Sequence, residues 1–317
     1  MASSRLLKSL DYFFVLRPML FFPGWSTLLA GYLIAWNGQI LLPAEHFTRF
    51  NYGEIALLLI LFGAAMGGSF LLNQIQDIDS DKSNNKLFFL SEKHISKRAA
   101  IWEAALLIVI ALALAIALDR TLFWAVGAFI LITGYAYNYR PFAFKDNPLT
   151  SLLANAAMGW LAFAIGWLAQ KSYSAELIID ALPYLFFNTA LYFFTTLPDV
   201  EGDRANNKKT LAVTRGVAFV IYCAGGLFVA ALLSAIWLSD VFALTLLVPS
   251  APFFARAVVR RSVEAAVQST KYGILFFAIA VCLKLPFYLL MMITIFGFTK
   301  WFFRKRFNFN YPNFAGR

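Results

Sequence analysis

Nine runs of about 20 mostly apolar residues follow one another along the chain, at 13–36, 54–76, 99–118, 121–139, 150–169, 177–197, 216–237, 239–257 and 272–298. A helix needs about 20 such residues to cross the hydrocarbon core of a bilayer. The expected fold is therefore all-α: a polytopic membrane protein of about nine transmembrane helices. Composition agrees. Of 317 residues, 61% are hydrophobic and 14% charged, against roughly 45–50% and 25% in soluble domains. A soluble protein of this length needs a polar shell, and these charges are too few to make one. The connections are too short for a soluble domain, so residues 1–317 read as a single transmembrane domain. The first apolar run lacks a small-residue cleavage site and reads as a helix that is kept.

The formal net charge of +10 is explained by basic loops facing anionic lipid and excludes nucleic acid as the expected partner. Lys82, Lys86, Lys93, Lys97 and Arg98 follow the second run. Arg140 and Lys145 follow the fourth, Arg204, Lys208, Lys209 and Arg215 the sixth, and Arg260, Arg261 and Lys271 the eighth. The opposite loops hold little beyond Arg49, Arg120 and Lys171. Short basic loops stay on the cytoplasmic side, which puts the N-terminus and the loops after even-numbered spans there. A count of nine then leaves the tail outside, although it carries Lys300, Arg304, Lys305 and Arg306, and Lys284 and Pro286 interrupt the last run. Trp301, Phe302, Phe303 and Phe307 suit an interfacial anchor.

Acidic residues concentrate in two places. Asn73, Asp77 and Asp81 are spaced by four at the end of the second run, and Asp199 and Asp203 by four at the end of the sixth. That spacing stacks side chains on one helix face, where like charges repel. With Asp79 and Glu201, six of 17 acidic residues lie in these two stretches. Capping acids beside a basic loop would explain one cluster alone; two on the same membrane face, in a chain so poor in charge, call for a cation. Oxygen ligands without His or Cys indicate Mg²⁺ or a similar hard cation. Arg204, Lys208 and Lys209 follow the second cluster at once, which suits a metal-bridged diphosphate. Cys223 and Cys282 sit in apolar runs and His46 and His94 stand apart, so neither pair reads as a metal site.

Asn73, Asp77, Asp81 and Asn84, with Asp199, Glu201, Gly202, Asp203, Arg204 and the run Thr210–Val213, resemble the paired motifs of the UbiA superfamily of intramembrane prenyltransferases. Between them, Tyr137-Asn-Tyr-Arg-Pro141-Phe-Ala-Phe-Lys145 is similar to the family's Tyr-Ser-x-x-Pro-x-x-Leu-Lys loop, Asn155 and Gly159 to its Asn-x-x-x-Gly, and Arg17-Pro18 to its first-helix pair. After Asn84 the usual Arg-Pro-x-Pro-Ser-Gly is replaced by Lys86-Leu-Phe-Phe-Leu-Ser-Glu, the usual Gly of the second motif falls at Asn207, and an acid before that motif gives way to Thr195 and Thr196. The second motif stands nearer the branch with chlorophyll, homogentisate and archaeal ether-lipid enzymes.

The resemblance implies a nine-helix fold around a central cavity that opens to lipid. It implies Mg²⁺ held by Asn73, Asp77, Asp81, Asp199 and Asp203, the four aspartates being catalytic. Arg17, Lys145, Arg204 and Lys209 would hold diphosphate, and Asn73, Tyr137 and Asn155 would meet substrate. The implied reaction is ionisation of a prenyl diphosphate and capture of the cation by an aromatic or lipid-like acceptor. Tyr137, Tyr139, Tyr192, Phe193 and Phe194 are candidates to face the cation, and Asp79 or Asp81 to take the released proton. A cyclase of prenyl diphosphates would share every motif. A transporter would place its acids near the midplane of broken helices, whereas these lie at span ends beside bases. No obligate protein partner is called for, and a prokaryotic cell membrane is the expected location.

Overall fold

The computed structural model describes residues 2–37, 50–78, 88–205 and 209–312. Among them there is no strand. Eleven helices of ten residues or more lie among the described residues: α1 (Ala2–Val15), α2 (Phe21–Asn37), α3 (Tyr52–Gln76), α4 (Lys97–Leu118), α5 (Arg120–Ile130), α6 (Pro148–Leu168), α7 (Leu182–Thr195), α8 (Val217–Trp237), α9 (Val241–Arg260), α10 (Val263–Lys284) and α11 (Phe287–Phe307). By length and composition, eight segments among the described residues suffice to cross a membrane: Leu6–Trp36, which joins α1 to α2, together with α3, α4, α6, α8, α9, α10 and α11. Arg120–Ala136 is apolar but shorter. Large apolar side chains stand exposed along these helices, among them Trp102 at 68%, Leu233 at 62% and Leu290 at 68%. That many would be a liability in water and suits hydrocarbon. The chain is a multi-pass integral membrane protein.

The second to eighth expected runs each correspond to helical segments within a few residues. The first, 13–36, is split by the turn Pro18–Leu20 between Val15 and Phe21. The ninth, 272–298, is split as well: α10 ends at Lys284 and α11 starts at Phe287. Pro286 has no N–H to continue α10, and the residue before a proline is driven out of the helical region. Leu285 accordingly takes φ −129° and ψ 79°.

The helix starts are written locally. Side chains of Ser96, Asp119, Asn147, Thr210, Asp240 and Ser262 accept from main-chain N–H groups of the first turn that follows each, satisfying donors that have no partner inside a helix. Asp119 alone separates α4 from α5. Its N–H donates to Ala115 O at 3.0 Å, while its Oδ1 accepts from the Thr121 N–H at 2.6 Å. A hydrogen bond from the Thr121 side chain, and then that Thr121 N–H, favour the charged form and hold its carboxyl below the usual value of 3.8.

The chain divides into two compact units, each made from discontinuous stretches: 1–22, 52–139 and 286–317 form one, 23–51 and 140–285 the other. In the first, Phe14, Val15, Leu71, Ile75, Phe89, Phe302 and Phe303 form a buried cluster, with Phe14 stacked on Phe302 at 3.9 Å between ring centres. Tyr52, which opens α3, meets Phe287, which opens α11, at 5.6 Å. Hence α3 and α11 start at one end of this unit and finish at the other. The basic end of α11 lies at the same end of the unit as Asp77.

In the second unit, α2 and α6 touch through glycine. A Cβ on Gly31 would overlap the carbonyl of Phe163, and one on Gly166 the carbonyl of Leu28. Small residues let helix backbones approach where lipid offers no hydrophobic driving force. Helix α7 is pinned by Asn188, whose Nδ2 donates to Thr27 Oγ1 at 3.1 Å, and by Tyr184, whose hydroxyl donates to Asp240 at 2.9 Å.

Candidate functional site

The last turn of α3 carries the first acidic motif. The Asp77 N–H donates to Asn73 O at 3.0 Å, so the helical register runs through both residues and their side chains share a face, as the spacing of four requires. Asn73 Nδ2 donates to Asp77 Oδ2 at 3.1 Å and to Asn138 Oδ1 at 2.6 Å. Asn138 is buried just beyond the end of α5, where residues Leu131–Ala136 widen into a π-helical turn. There the N–H of Tyr137 reaches back five residues to Ile132 O at 2.9 Å, and those of Asn138 and Tyr139 go to Tyr135 O. The carbonyls of Thr133 and Gly134 are met instead by Asn138 Nδ2, at 3.1 and 2.9 Å. Such widened turns recur at functional sites. Tyr139 closes this corner by donating to Leu72 O at 3.2 Å.

Two other expected residues lie in this first unit. Arg17 sits at φ 59° and ψ 57°, the residue that leads into the turn Pro18–Leu20. Its charge is felt by Tyr311, whose phenol burial raises and Arg17 lowers. Tyr137 is half-buried beside Asn138 in the chain.

The second unit carries the other acidic motif. The N–H of Asp203 donates to Asp199 O at 2.7 Å, one turn of the short helix Val200–Ala205. Asp199 and Arg204 are exposed and Asp203 half-buried. A pocket in this unit is lined by Lys145, Ser151, Tyr192, Thr196, Lys209 and Thr210, with Pro148, Phe193 and Leu211 as its apolar part. Lys145 comes from the turn Phe144–Asp146, which Thr150 ties to α6 by donating to Phe144 O at 2.8 Å. Ser151 Oγ and the Tyr192 hydroxyl are 2.9 Å apart. One turn along α6, Asn155 Nδ2 donates to Ser151 O at 2.9 Å. The lining thus gathers two ammonium groups and four hydroxyls around one cavity.

Of the expected residues, Asn73 and Asp77 are therefore in direct contact, and Lys145 and Lys209 share a pocket. Asp79, Asp81, Asn84 and Lys208 lie outside the described residues. Sequence reasoning singled out Tyr192 only as an aromatic and gave no role to Asn138 or Ser151. Asn138 stood inside a quoted motif, a polar residue at the end of an apolar run, but nothing in one sequence says that its amide reaches Asn73. Among the described residues no three His, Cys, Asp or Glu side chains gather into a metal-holding group. The donors that are present, an amide and a carboxylate on one turn and two carboxylates on another, are all oxygen and fit a hard cation.

A model of the UbiA prenyltransferase family matches residues 24–280. The chain is 30% identical over 206 residues to 2-acyl-4-prenylphloroglucinol 6-prenyltransferase, chloroplastic, of Humulus lupulus, covering 59% of this chain and 49% of that protein. It is 27% identical over 183 residues to digeranylgeranylglyceryl phosphate synthase of Sulfolobus acidocaldarius, covering 57% of this chain and 63% of the other. It thus spans from about half to under two thirds of the length of these curated relatives. Among solved structures, a digeranylgeranylglyceryl phosphate synthase in membranes has a similar fold, with TM-score 0.65, 19% identity, and coverage of 87% of this chain and 97% of that one. A UbiA homolog from Archaeoglobus fulgidus, solved bound to GPP and Mg²⁺, gives TM-score 0.59 and 21% identity, over 86% of this chain and 99% of that one.

Proposed function

The chain belongs to the UbiA prenyltransferase family, and from that premise we propose that it transfers a prenyl group from a prenyl diphosphate to an aromatic or lipid-like acceptor within the membrane. The observation that carries this reading is the pocket of Lys145, Lys209 and four hydroxyls, whose residues Thr196 and Lys209 flank the Asp199–Asp203 turn in the chain. Within that reading residues 1–317 act as one enzyme domain, with the acidic motifs on the cytoplasmic side, where the short basic loops belong.

Asn73 and Asp77 on one turn, with Asp81 four positions beyond, and Asp199 and Asp203 on the other would each offer oxygens to Mg²⁺. Bound Mg²⁺ supplies positive charge against the diphosphate oxygens. Lys145 and Lys209 take further oxygens of the leaving group, and Arg204 and Arg17 are placed in the same role by the motifs they belong to. As negative charge builds on the departing diphosphate, these fixed cations need no reorganisation to meet it, which lowers the barrier. Tyr137 and Asn155 are assigned to the substrate.

The test is diphosphate release from protein purified in detergent, with prenyl diphosphates of C10 to C20 and longer, a lipid extract as acceptor source, and Mg²⁺ present or removed by chelation. Mg²⁺-dependent release with a prenylated product supports the reading. A cyclised product with no acceptor would make the protein a cyclase. No release from folded protein with any donor would reject enzymatic function on prenyl diphosphates.

A further inference from the structure

Asn138 belongs to neither acidic motif, and it is 2% exposed. Its side-chain amide has an oxygen end that accepts and a nitrogen end that donates, and its surroundings decide which way round it sits. Both contacts of Nδ2 are main-chain carbonyl oxygens, of Thr133 at 3.1 Å and Gly134 at 2.9 Å. A carbonyl only accepts, so the –NH₂ end must face the widened turn. Oδ1 is thereby the end left for Asn73, and it accepts from Asn73 Nδ2 at 2.6 Å. The orientation passes on. The –NH₂ of Asn73 has one hydrogen on Asn138 and the other on Asp77 Oδ2 at 3.1 Å. Asn73 Oδ1 accepts no hydrogen bond among the described residues. Turned over, Asn73 would offer a cation a nitrogen with no lone pair to give, and would set oxygen against both Asn138 Oδ1 and the Asp77 carboxylate.

We infer that Asn138 is a positioning residue: anchored on the two carbonyls that the π-helical turn releases, it fixes the Asn73 amide so that Oδ1 faces outward as a ligand for a hard divalent cation. The inference rests on the cation named in the proposed function, and concerns how this chain orients one of its ligands. The family loop quoted above carries serine at this place, with a single donor for two carbonyls; the asparagine satisfies both and still has an oxygen to spare.

The test is Mn²⁺ binding to the full-length protein in detergent, followed by electron paramagnetic resonance, with inorganic pyrophosphate and no prenyl substrate, so that no turnover enters the readout. Asn138→Ala is expected to weaken Mn²⁺ binding by about ten- to a hundredfold, the usual cost of losing a residue that orients a ligand. In the Asn73→Ala background the same change should add nothing, because its effect passes through Asn73. Asn138→Asp keeps the volume but sets oxygen against the two carbonyls, and should lose affinity likewise, which keeps the test alive if the alanine variant does not fold. Unchanged affinity in either folded variant overturns the inference, as does a full further loss on the Asn73→Ala background or failure of both variants to fold. Wild-type protein with no saturable Mn²⁺ binding overturns the cation reading of the acidic turn as well, so the two failures are told apart.

Discussion

Arg306 donates two hydrogen bonds to the carboxylate of Asp11, at 3.1 and 3.0 Å, across 295 positions of sequence. The pair fastens the last helix of the chain to the first. The Asp11 side chain is 2% exposed and that of Arg306 20%. Removal of Arg306 therefore leaves a carboxylate with little water to turn to. Arg306→Gln is expected to destabilise the first unit by about 2–3 kcal/mol, at the lower edge of what breaking a fully enclosed pair costs, because the guanidinium is partly wet. Thermal unfolding in detergent measures it. Asp11→Asn/Arg306→Gln together should recover part of the loss.

Asp77→Ala or Asp199→Ala should reduce turnover by about a thousandfold, which is several kcal/mol of lost charge stabilisation. Both variants should still insert and fold, since neither side chain is buried. Product formation and size-exclusion profiles of the same samples check the two halves of this expectation. Loss of folded protein would assign the acidic turns to structure instead.

Lys145→Ala and Lys209→Ala should each raise KM for the prenyl diphosphate by roughly tenfold or more, the worth of one charge-assisted hydrogen bond. The two lysines line one pocket, so their effects should not add. Initial rates against donor concentration, for both single variants and the double variant, test this.

Gly166→Ala and Gly31→Ala place a Cβ against a main-chain carbonyl with no flexible side chain to move aside. Each is expected to cost about 1–3 kcal/mol, the range for overpacking a filled interior, and to lower the unfolding temperature in detergent. Gly226→Ala, where a Cβ meets nothing within 4 Å, serves as the control and should leave it unchanged or slightly raised.

Asp119 gives a pH-dependent outcome. Its carboxyl is held below 3.8 by bonds to its charged form, so the native state binds fewer protons there than the unfolded chain. The stabilisation is fully present above about pH 4 and fades as pH falls through the native value. Asp119→Ala should therefore unfold at lower temperature than wild type near neutral pH, and the gap should close in strong acid. A gap of constant size would assign the effect to packing.

Much of the fold was legible because a bilayer leaves a chain few choices. Run length alone sets where helices begin and end, and caps such as Asn147 before Pro148 agree with it. The misread run 272–298 stayed apolar on both sides of Pro286, so hydropathy had no edge to detect; the missing N–H of the proline made the break. The acidic turns were legible from spacing, since a period of four is a property of the helix itself. The contact of Asn73 with Asn138 spans 65 positions and depends on a turn widened by one residue, for which neither propensity nor pattern gives a sign. The pocket around Ser151 and Tyr192 needed α6 and α7 side by side, which no single sequence states.

The first unit takes its pieces from both ends of the chain, and this has a consequence for biogenesis. Once the ribosome has made residue 285, the second unit has all of its sequence, while the first still lacks α11, with Phe302, Phe303 and the partner of Asp11. Part of its aromatic core and the guanidinium that meets Asp11 arrive with the final helix. The half of the protein that carries Asp77 is thus the first to be started and the last to be finished, and a chain cut short after Leu285 would lack the helix that completes it.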